Sequence, residues 1–351
     1  MVQRNMNNVK TLTITLALAA LTITAAAQTS NNPFTVPSQR PAQAPGTTPP
    51  TTAGQVGGVL NPFPPMNPKL FTASSPTMAT VESFLSAMWG YEPSRIWNVA
   101  GIEKTNVPGI VKITVLLADR AGNGGLQKAV FFVTPDGKHV IGSDILPFGA
   151  QPFAEARKLM LDRADGPARG AASKDLLVVE FADLQCPSCK AAQPAIQQLM
   201  RDYPQARVVF EDAPQEATHP VSADAAAYGV CMAQKGDAAF FSFVQAVYDT
   251  QDTLSATGRD TALKTAAAKV GQDPEAIATC AASPATRSAV QATEDLAAAI
   301  GITQTPSLVI NGRIVPLAGI SYEVLEKVLR HQAEMDGVAL PAPQPKLQSL
   351  Q

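Results

Sequence analysis

Apolar positions change their spacing several times along the chain, and each change marks a different kind of segment. Residues 11–24 (TLTITLALAALTIT) are apolar but short and studded with Thr. They follow Arg4 and Lys10 and precede Ala25-Ala26-Ala27, an A-x-A cleavage pattern, so residues 1–27 read as a secretory signal peptide. An uncleaved anchor is the alternative, although a spanning helix needs ~20 apolar residues. Over 28–68 the pattern disappears. That stretch is rich in Pro, Thr, Gln, Asn and Gly and poor in charge and aromatics, which predicts a disordered Pro-rich linker. Helical spacing then sets in: Ser75-Pro76 reads as a cap followed by Pro at the first helical position, and Val81, Phe84, Leu85 and Met88 share one face up to Gly90. Residues 109–118 and 129–134 read as strands, and Asp136-Gly137 as a tight hairpin turn into 138–142. One helix and a few antiparallel strands predict a small α+β domain over 69–150. Residues 151–172, with a helix over 152–164, connect it to a second domain.

That second domain is predicted over 173–335. Asp175 to Ala182 is a mostly apolar run, as expected of a strand buried on both faces. A helix comes next, to about Tyr203, then a strand from Ala206 to Glu211. Residues 221–300 are Ala-rich and helical. Ser307 to Ile310 is a strand, Asn311-Gly312 a hairpin turn into Arg313-Ile314-Val315, and a last helix runs from Ser321 to about Glu334. Residues 336–351, with three prolines, read as a disordered tail.

The 351 residues suffice for two domains, and with 46% apolar residues a sizeable core is within reach. A net charge of -2 without a basic cluster argues against nucleic acid as a partner. No glycine-rich phosphate loop is present. Export would place the chain where disulfides persist, and its four cysteines are Cys186, Cys189, Cys231 and Cys280.

Cys186-Pro187-Ser188-Cys189 falls at a strand-to-helix junction. The first thiol of such a motif sits at the helix N-terminus, where free N–H groups and the macrodipole favour an anion, so its pKa drops and it becomes the nucleophile. The second lies one turn in, placed to resolve a mixed disulfide. Haem attachment would want His at position 190, which is Lys. A structural zinc site usually wants a second ligand pair at close spacing, whereas Cys231 and Cys280 are far apart and only three His exist. A purely structural bridge over two residues would restrict the unfolded chain least. No metal or organic cofactor is expected.

These residues carry a resemblance. Residues 173–335 resemble the DsbA-like exported branch of the thioredoxin superfamily through the block Glu180-Phe181-Ala182-Asp183-Leu184-Gln185-Cys186-Pro187-Ser188-Cys189-Lys190. Pro194, Thr305-Pro306 before a strand and the Asn311-Gly312 hairpin, the long helical stretch, and His219-Pro220 ahead of an Ala-rich helix bearing Cys231 agree with it. The resemblance implies an α/β thioredoxin-like fold with a helical insertion, preceded by the small α+β domain. It implies Cys186 as attacker and Cys189 as resolver. It further implies a cis Pro306 whose neighbour Thr305, with Pro187 and Ser188, offers groups to an extended substrate chain. Glu180 is either a strand-end acid facing solvent or, as the resemblance implies, a buried acid with raised pKa that exchanges a proton with Cys189 through water. Lys190 either steadies a nearby anion or is simply solvated. Cys231 and Cys280, the latter expected near a helix start, are expected to form a structural disulfide, two buried free thiols being the alternative.

The hairpin Val133-Thr134-Pro135-Asp136-Gly137-Lys138-His139-Val140-Ile141, followed by a connecting helix and the redox domain, resembles the dimerisation module of DsbC- and DsbG-like isomerases. That implies a homodimer. The expected function is extracytoplasmic, for example periplasmic, thiol–disulfide exchange on protein substrates, sustained by a membrane or soluble redox partner. The domain order implies an isomerase or reductase. A DsbA-type oxidase is the alternative, although Pro187-Ser188 lacks the His of strongly oxidising relatives. A chaperone-like binding module with an incidental redox site is a further alternative.

Overall fold

Strand pairing divides most of the chain into two five-stranded sheets. The structure is a computed structural model that describes residues 62–142 and 144–342, with the backbone alone of β1 (Gln55–Val56) and β2 (Val59–Leu60), an antiparallel pair. The expected signal peptide, most of the Pro-rich linker and residues 343–351 of the tail lie outside the described residues.

The first large sheet is a meander in the order β3-β4-β5-β6-β7: β3 (Arg95–Lys104), β4 (Val111–Asp119), β5 (Gln127–Val133), β6 (His139–Ile141) and β7 (Ile145–Pro147), every pair antiparallel. Helix α1 (Met78–Trp89) packs on one face, burying Val81, Phe84, Leu85 and Met88 against Ile113, Val115, Phe131, Val133 and Val140. The helix begins later than Ser75-Pro76 suggested. Thr77 is its N-cap, accepting from the Thr80 N–H at 3.2 Å, and the Ser75–Pro76 peptide before it is cis. Strand β3 escaped the sequence reading because a bulge between Val99 and Gly101 shifts its register, so Val99 and Ile102 both face inward and the two-residue period breaks.

Helix α2 (Ala154–Arg163) leads to the second sheet, ordered β12-β11-β9-β10-β8. Its strands are β8 (Ala168–Gly170), β9 (Leu176–Ala182), β10 (Ala206–Asp212), β11 (Ser307–Ile310) and β12 (Arg313–Pro316). β9 and β10 are parallel, joined by the crossover helix α3 (Pro187–Asp202). The other pairings are antiparallel. The sheet thus starts with β8, inside the stretch expected to be a connector; three residues reading Ala-Arg-Gly carry no hydrophobic period to announce a strand. Every residue of β9 is buried. Leu176 and Val178 face α3 and α9 (Tyr322–Met335), while Leu177, Val179 and Phe181 face α2 and α8 (Pro284–Ala299). Between β10 and β11 come α4 (Ser222–Ala233), α5 (Asp237–Asp249), α6 (Arg259–Lys269), α7 (Pro274–Ala281) and α8, an Ala-rich layer over the end of β9. The hairpin after β11 turns through Asn311 and Gly312, both at positive φ (45° and 93°), which only such residues adopt readily.

The two sheets meet through α1. Arg313, buried on β12, donates to the carbonyls of Ala87 and Met88 at the α1 C-terminus and to Gln332 Oε1, and its guanidinium lies 4.2 Å from the Phe153 ring centre. A cation there also suits the negative end of the helix dipole. His331 Nε2 sits 3.0 Å from the Ser86 carbonyl, and Tyr91 is buried with Leu325, Val328 and Leu329 of α9.

Candidate active site

The active-site loop leaves the buried end of β9 and enters α3 with Cys186 as N-cap, its backbone extended (φ -74°, ψ 119°) and Pro187 at the first helical position. Pro fits there because its missing N–H would have had no helical partner. Pro187, Ser188 and Lys190 are exposed, and Pro194 lies inside the helix. Cys186 is buried to 5% exposure and Cys189 completely, and both are free thiols. The Cys186 thiol faces the Thr305 carbonyl at 3.7 Å, and the Thr305–Pro306 peptide is cis. The loops after β9 and before β11 therefore bring the motif and Thr305-Pro306 together, as adjacency of those two strands requires.

The two thiols are driven apart in acidity. Cys186 falls from an ordinary value of 9.0 to about 5. The Cys189 thiol donating to it is the largest cause; burial opposes, and the backbone N–H groups of Cys189 and Ser188 and the Thr305 side chain help. Cys189 is pushed far up, first by burial and then because its proton is held by Cys186. At neutral pH one thiolate stands at the surface end of the pair with a protonated thiol beneath it. Such a pair can attack a disulfide with the first sulfur and close on it with the second.

Glu180 is fully buried on β9. Its Oε1 accepts from Gln193 Nε2 at 2.7 Å, and its Oε2 lies 3.7 Å from the Arg169 guanidinium on β8. Burial raises its pKa, opposed by Arg169 and Gln193. Arg169 stacks over Phe241 at 4.2 Å. Cys231 on α4 and Cys280 on α7 are joined by a disulfide, 49 residues apart. Cys280 lies in the last turn of α7 rather than near its start: the helix begins at Pro274, capped by Asp273.

Several contacts around the site escaped the sequence reading, although Asp183 and His219 lie within its motifs. Asp183 accepts from the N–H groups of Gln185 (2.7 Å) and Gln215 (3.0 Å), pairs with His219 Nδ1 at 2.7 Å, and donates its own N–H to Cys189 Sγ at 3.4 Å. Gln251 Nε2 donates to the carbonyls of Leu184 (2.9 Å) and Cys186 (3.0 Å), tying the active-site loop to the helical layer. An Asp three residues before the first cysteine is a signal for such a turn, and Gln193 sits one turn after Cys189 on the same helix face. Nothing in the sequence singles out Gln251.

Against known proteins, the family model described as Thioredoxin matches residues 163–330. This part of the chain has a thioredoxin-like fold. The catalytic domain of ScsC from Proteus mirabilis is 24% identical to the protein, covering 52% of this chain and 99% of that one with a TM-score of 0.43. Oxidised BdbD from Bacillus subtilis is 20% identical, covering 48% and 93%, with a TM-score of 0.44. A curated relative, the Na(+)/H(+) antiporter NhaA 3 of Salinispora tropica, is 35% identical over 86 residues, which are 24% of this chain and only 13% of the antiporter. Among the described residues no helix is long and apolar enough to cross a membrane. In this thioredoxin-like fold the CxxC motif, Glu180 and Thr305-Pro306 all meet at one end of β9.

Proposed function

We propose that the protein catalyses thiol–disulfide exchange on substrate proteins. Cys186 attacks, Cys189 resolves, and Thr305-Pro306 with Pro187 and Ser188 receives an extended substrate backbone. The observation that carries this reading is Cys186 standing as N-cap of α3, its thiol 3.7 Å from the Thr305 carbonyl before the cis Pro306, with Cys189 buried one turn on. The lowered pKa of Cys186 beside the raised pKa of Cys189 agrees with it. Glu180 takes or gives the Cys189 proton. Extracytoplasmic action is supported by the signal-like first 27 residues and by the Cys231–Cys280 disulfide, since such bridges persist in oxidising compartments. The test is turnover of a disulfide-bonded substrate protein by the mature chain. Loss of turnover in a Cys186→Ser variant supports the reading. Full activity in that variant refutes it.

For direction, isomerase or reductase is the reading we favour. Among the described residues no helix covers the second face of the meander sheet, and on it Phe132 pairs with Ile141 and Ile141 with Ile145 across β5, β6 and β7, an apolar row with Ile145 67% exposed. A second copy pairing through this sheet would hold two Cys186 thiols around one cleft and close the commonest kind of symmetric assembly. Light scattering should give a dimer at micromolar concentration, and Ile145→Asp should give a monomer; a monomeric wild-type chain would remove this support. The oxidase reading is favoured by one observation. A Cys186 pKa of about 5 stabilises the reduced form, which makes a disulfide more oxidising. The reduction potential of the Cys186–Cys189 couple, together with reactivation of a scrambled substrate, separates the two. A Cys186→Ser, Cys189→Ser variant that still suppressed aggregation fully would favour a binding module instead.

A further inference from the structure

One buried side chain anchors the turn between β9 and α3. Asp183 follows the last residue of β9 and is buried. Its carbonyl accepts from the Cys186 N–H at 3.1 Å, and its Oδ1 accepts from the Gln185 N–H at 2.7 Å, so main chain and side chain both close the turn. Its Oδ2 accepts from the Gln215 N–H at 3.0 Å and lies 2.7 Å from His219 Nδ1. A carboxylate has no proton to give, so Nδ1 carries the hydrogen of that contact. His219 is itself fixed. Its N–H donates to the Gln215 carbonyl at 2.8 Å, and its carbonyl accepts from the Ser222 N–H at 3.0 Å and the Ser222 hydroxyl at 2.7 Å, at the start of α4. The residue held in this way points at the thiols: the Asp183 N–H donates to Cys189 Sγ at 3.4 Å. Burial pushes the Cys189 pKa up most, and the contact that opposes it most is this N–H.

We propose that Asp183 and His219 are positioning residues for the leaving sulfur: their contact aims the Asp183 N–H at Cys189 Sγ, where it stabilises the negative charge that this sulfur takes up when the Cys186–Cys189 disulfide opens. The proposal rests on the thiol–disulfide exchange reading. An external thiolate attacks Cys186 Sγ, a new S–S bond forms, the Cys186–Cys189 bond breaks, and its electron pair leaves on Cys189. The Asp183 N–H shares its hydrogen with that pair and transfers none. A thiol leaves faster the better its anion is stabilised. A carboxylate so near the departing sulfur would oppose this, since like charges repel. The hydrogen that His219 donates offsets that repulsion and completes the bonding of Oδ2. Without it Oδ2 keeps only the Gln215 N–H, and the turn loses its tie to the start of α4.

His219→Leu removes the donor, and His219→Asn keeps an N–H near the place of Nδ1. In the full mature chain, the Cys186–Cys189 disulfide is reduced with dithiothreitol at neutral pH and sampled by acid quench and mass mapping. His219→Leu should slow reduction about three- to tenfold, as partial loss of a hydrogen bond to a charged group does. His219→Asn should lie within about twofold of wild type, the donor being kept. The alkylation midpoint of Cys186 should stay near the value of about 5, because Cys189 keeps its proton in the reduced chain. In a Cys189→Ala chain carrying a Cys186–glutathione disulfide, Cys189 no longer leaves, and His219→Leu should no longer slow reduction. Unchanged reduction of the Cys186–Cys189 disulfide in His219→Leu overturns the proposal. So does an equal loss in both backgrounds, which a loosened fold would give, and so does a His219→Asn as slow as His219→Leu. Should His219→Leu not fold, Asp183→Asn decides by the same criteria, since its one carbonyl oxygen cannot accept from Gln185, Gln215 and His219 together. Reduction by dithiothreitol needs no protein substrate. A wild-type chain that exchanges with no protein disulfide therefore refutes the underlying reading, whereas unmoved variants of an exchanging chain refute only the positioning role.

Discussion

Replacing Cys189 by Ala tests why Cys186 is acidic. The largest influence holding Cys186 at about 5 is the hydrogen bond donated by the Cys189 thiol. A hydrogen bond to a charged group is worth about 1.5–3 kcal/mol net. At about 1.4 kcal/mol per pH unit, its loss moves the Cys186 midpoint to about 6–7. A second effect runs the other way: nucleophilicity rises with thiol pKa with a slope of about 0.4–0.5, so the fully ionised variant reacts about three- to tenfold faster. The two pH–rate curves must therefore cross. At pH 5 the variant is alkylated by iodoacetamide about two- to eightfold more slowly than wild type, near pH 6 the rates are similar, and at pH 9 the variant is faster. Cys189→Ser keeps a donor and should lie closer to wild type. A Cys189→Ala midpoint still at about 5 would refute the reasoning and assign the acidity to the helix N-terminus instead.

Three further outcomes are expected. Replacing Cys231 and Cys280 together by Ser should lower the unfolding free energy from urea melts by about 2–4 kcal/mol, since their bridge spans 49 positions. Burial raises Glu211 from an ordinary 4.5 to about 7, so the folded chain holds a proton there that the unfolded chain releases. Its contribution is fully present below pH 4.5 and lost as pH rises through 7, so the melting temperature of the Cys186–Cys189 disulfide form should fall over that window, less steeply in Glu211→Gln. Arg313→Met should cost on the order of 1–3 kcal/mol for each α1 carbonyl left without its donor, and should make residues 69–150 more protease-sensitive than the rest of the chain.

How much of this was legible in the sequence depended on whether a feature is local. The Asn311-Gly312 and Asp136-Gly137 turns, the continuous apolar run of β9 and the helical spacing of Val81, Phe84, Leu85 and Met88 are local, and each matches an observed element. The strands that were missed lack a local signature. β3 loses its alternation at the Val99/Gly101 bulge, and β7 and β8 are three residues each. The site divides in the same way. The spacing of Cys186, Cys189 and Glu180 is visible in one short block, because a strand end and a helix start fix their geometry. Arg169 and Gln251 reach the site only through strand pairing and helix packing, and their types and positions say nothing by themselves; His219 was visible as part of a His-Pro pair, but not its contact with Asp183.

The acidity of Cys186 in turn depends on a part of the chain that read only as Ala-rich and helical. Cys186 is acidic chiefly because Cys189 keeps its proton and donates it, and Cys189 keeps its proton chiefly because it is buried. The cover over it is the layer of α4 to α8, in which Ala225, Ala226, Ala246, Ala266 and Ala267 are all buried in the cluster that contains both thiols. Small side chains let those helices approach one another closely. The disulfide between α4 and α7 pins it, and Gln251 ties it to the Leu184 and Cys186 carbonyls. Loosening the layer would admit water to Cys189, ease its deprotonation, and so weaken the hydrogen bond that makes Cys186 reactive. On this argument the helical insertion acts on the chemistry at a distance, by controlling which of two neighbouring thiols is allowed to lose its proton.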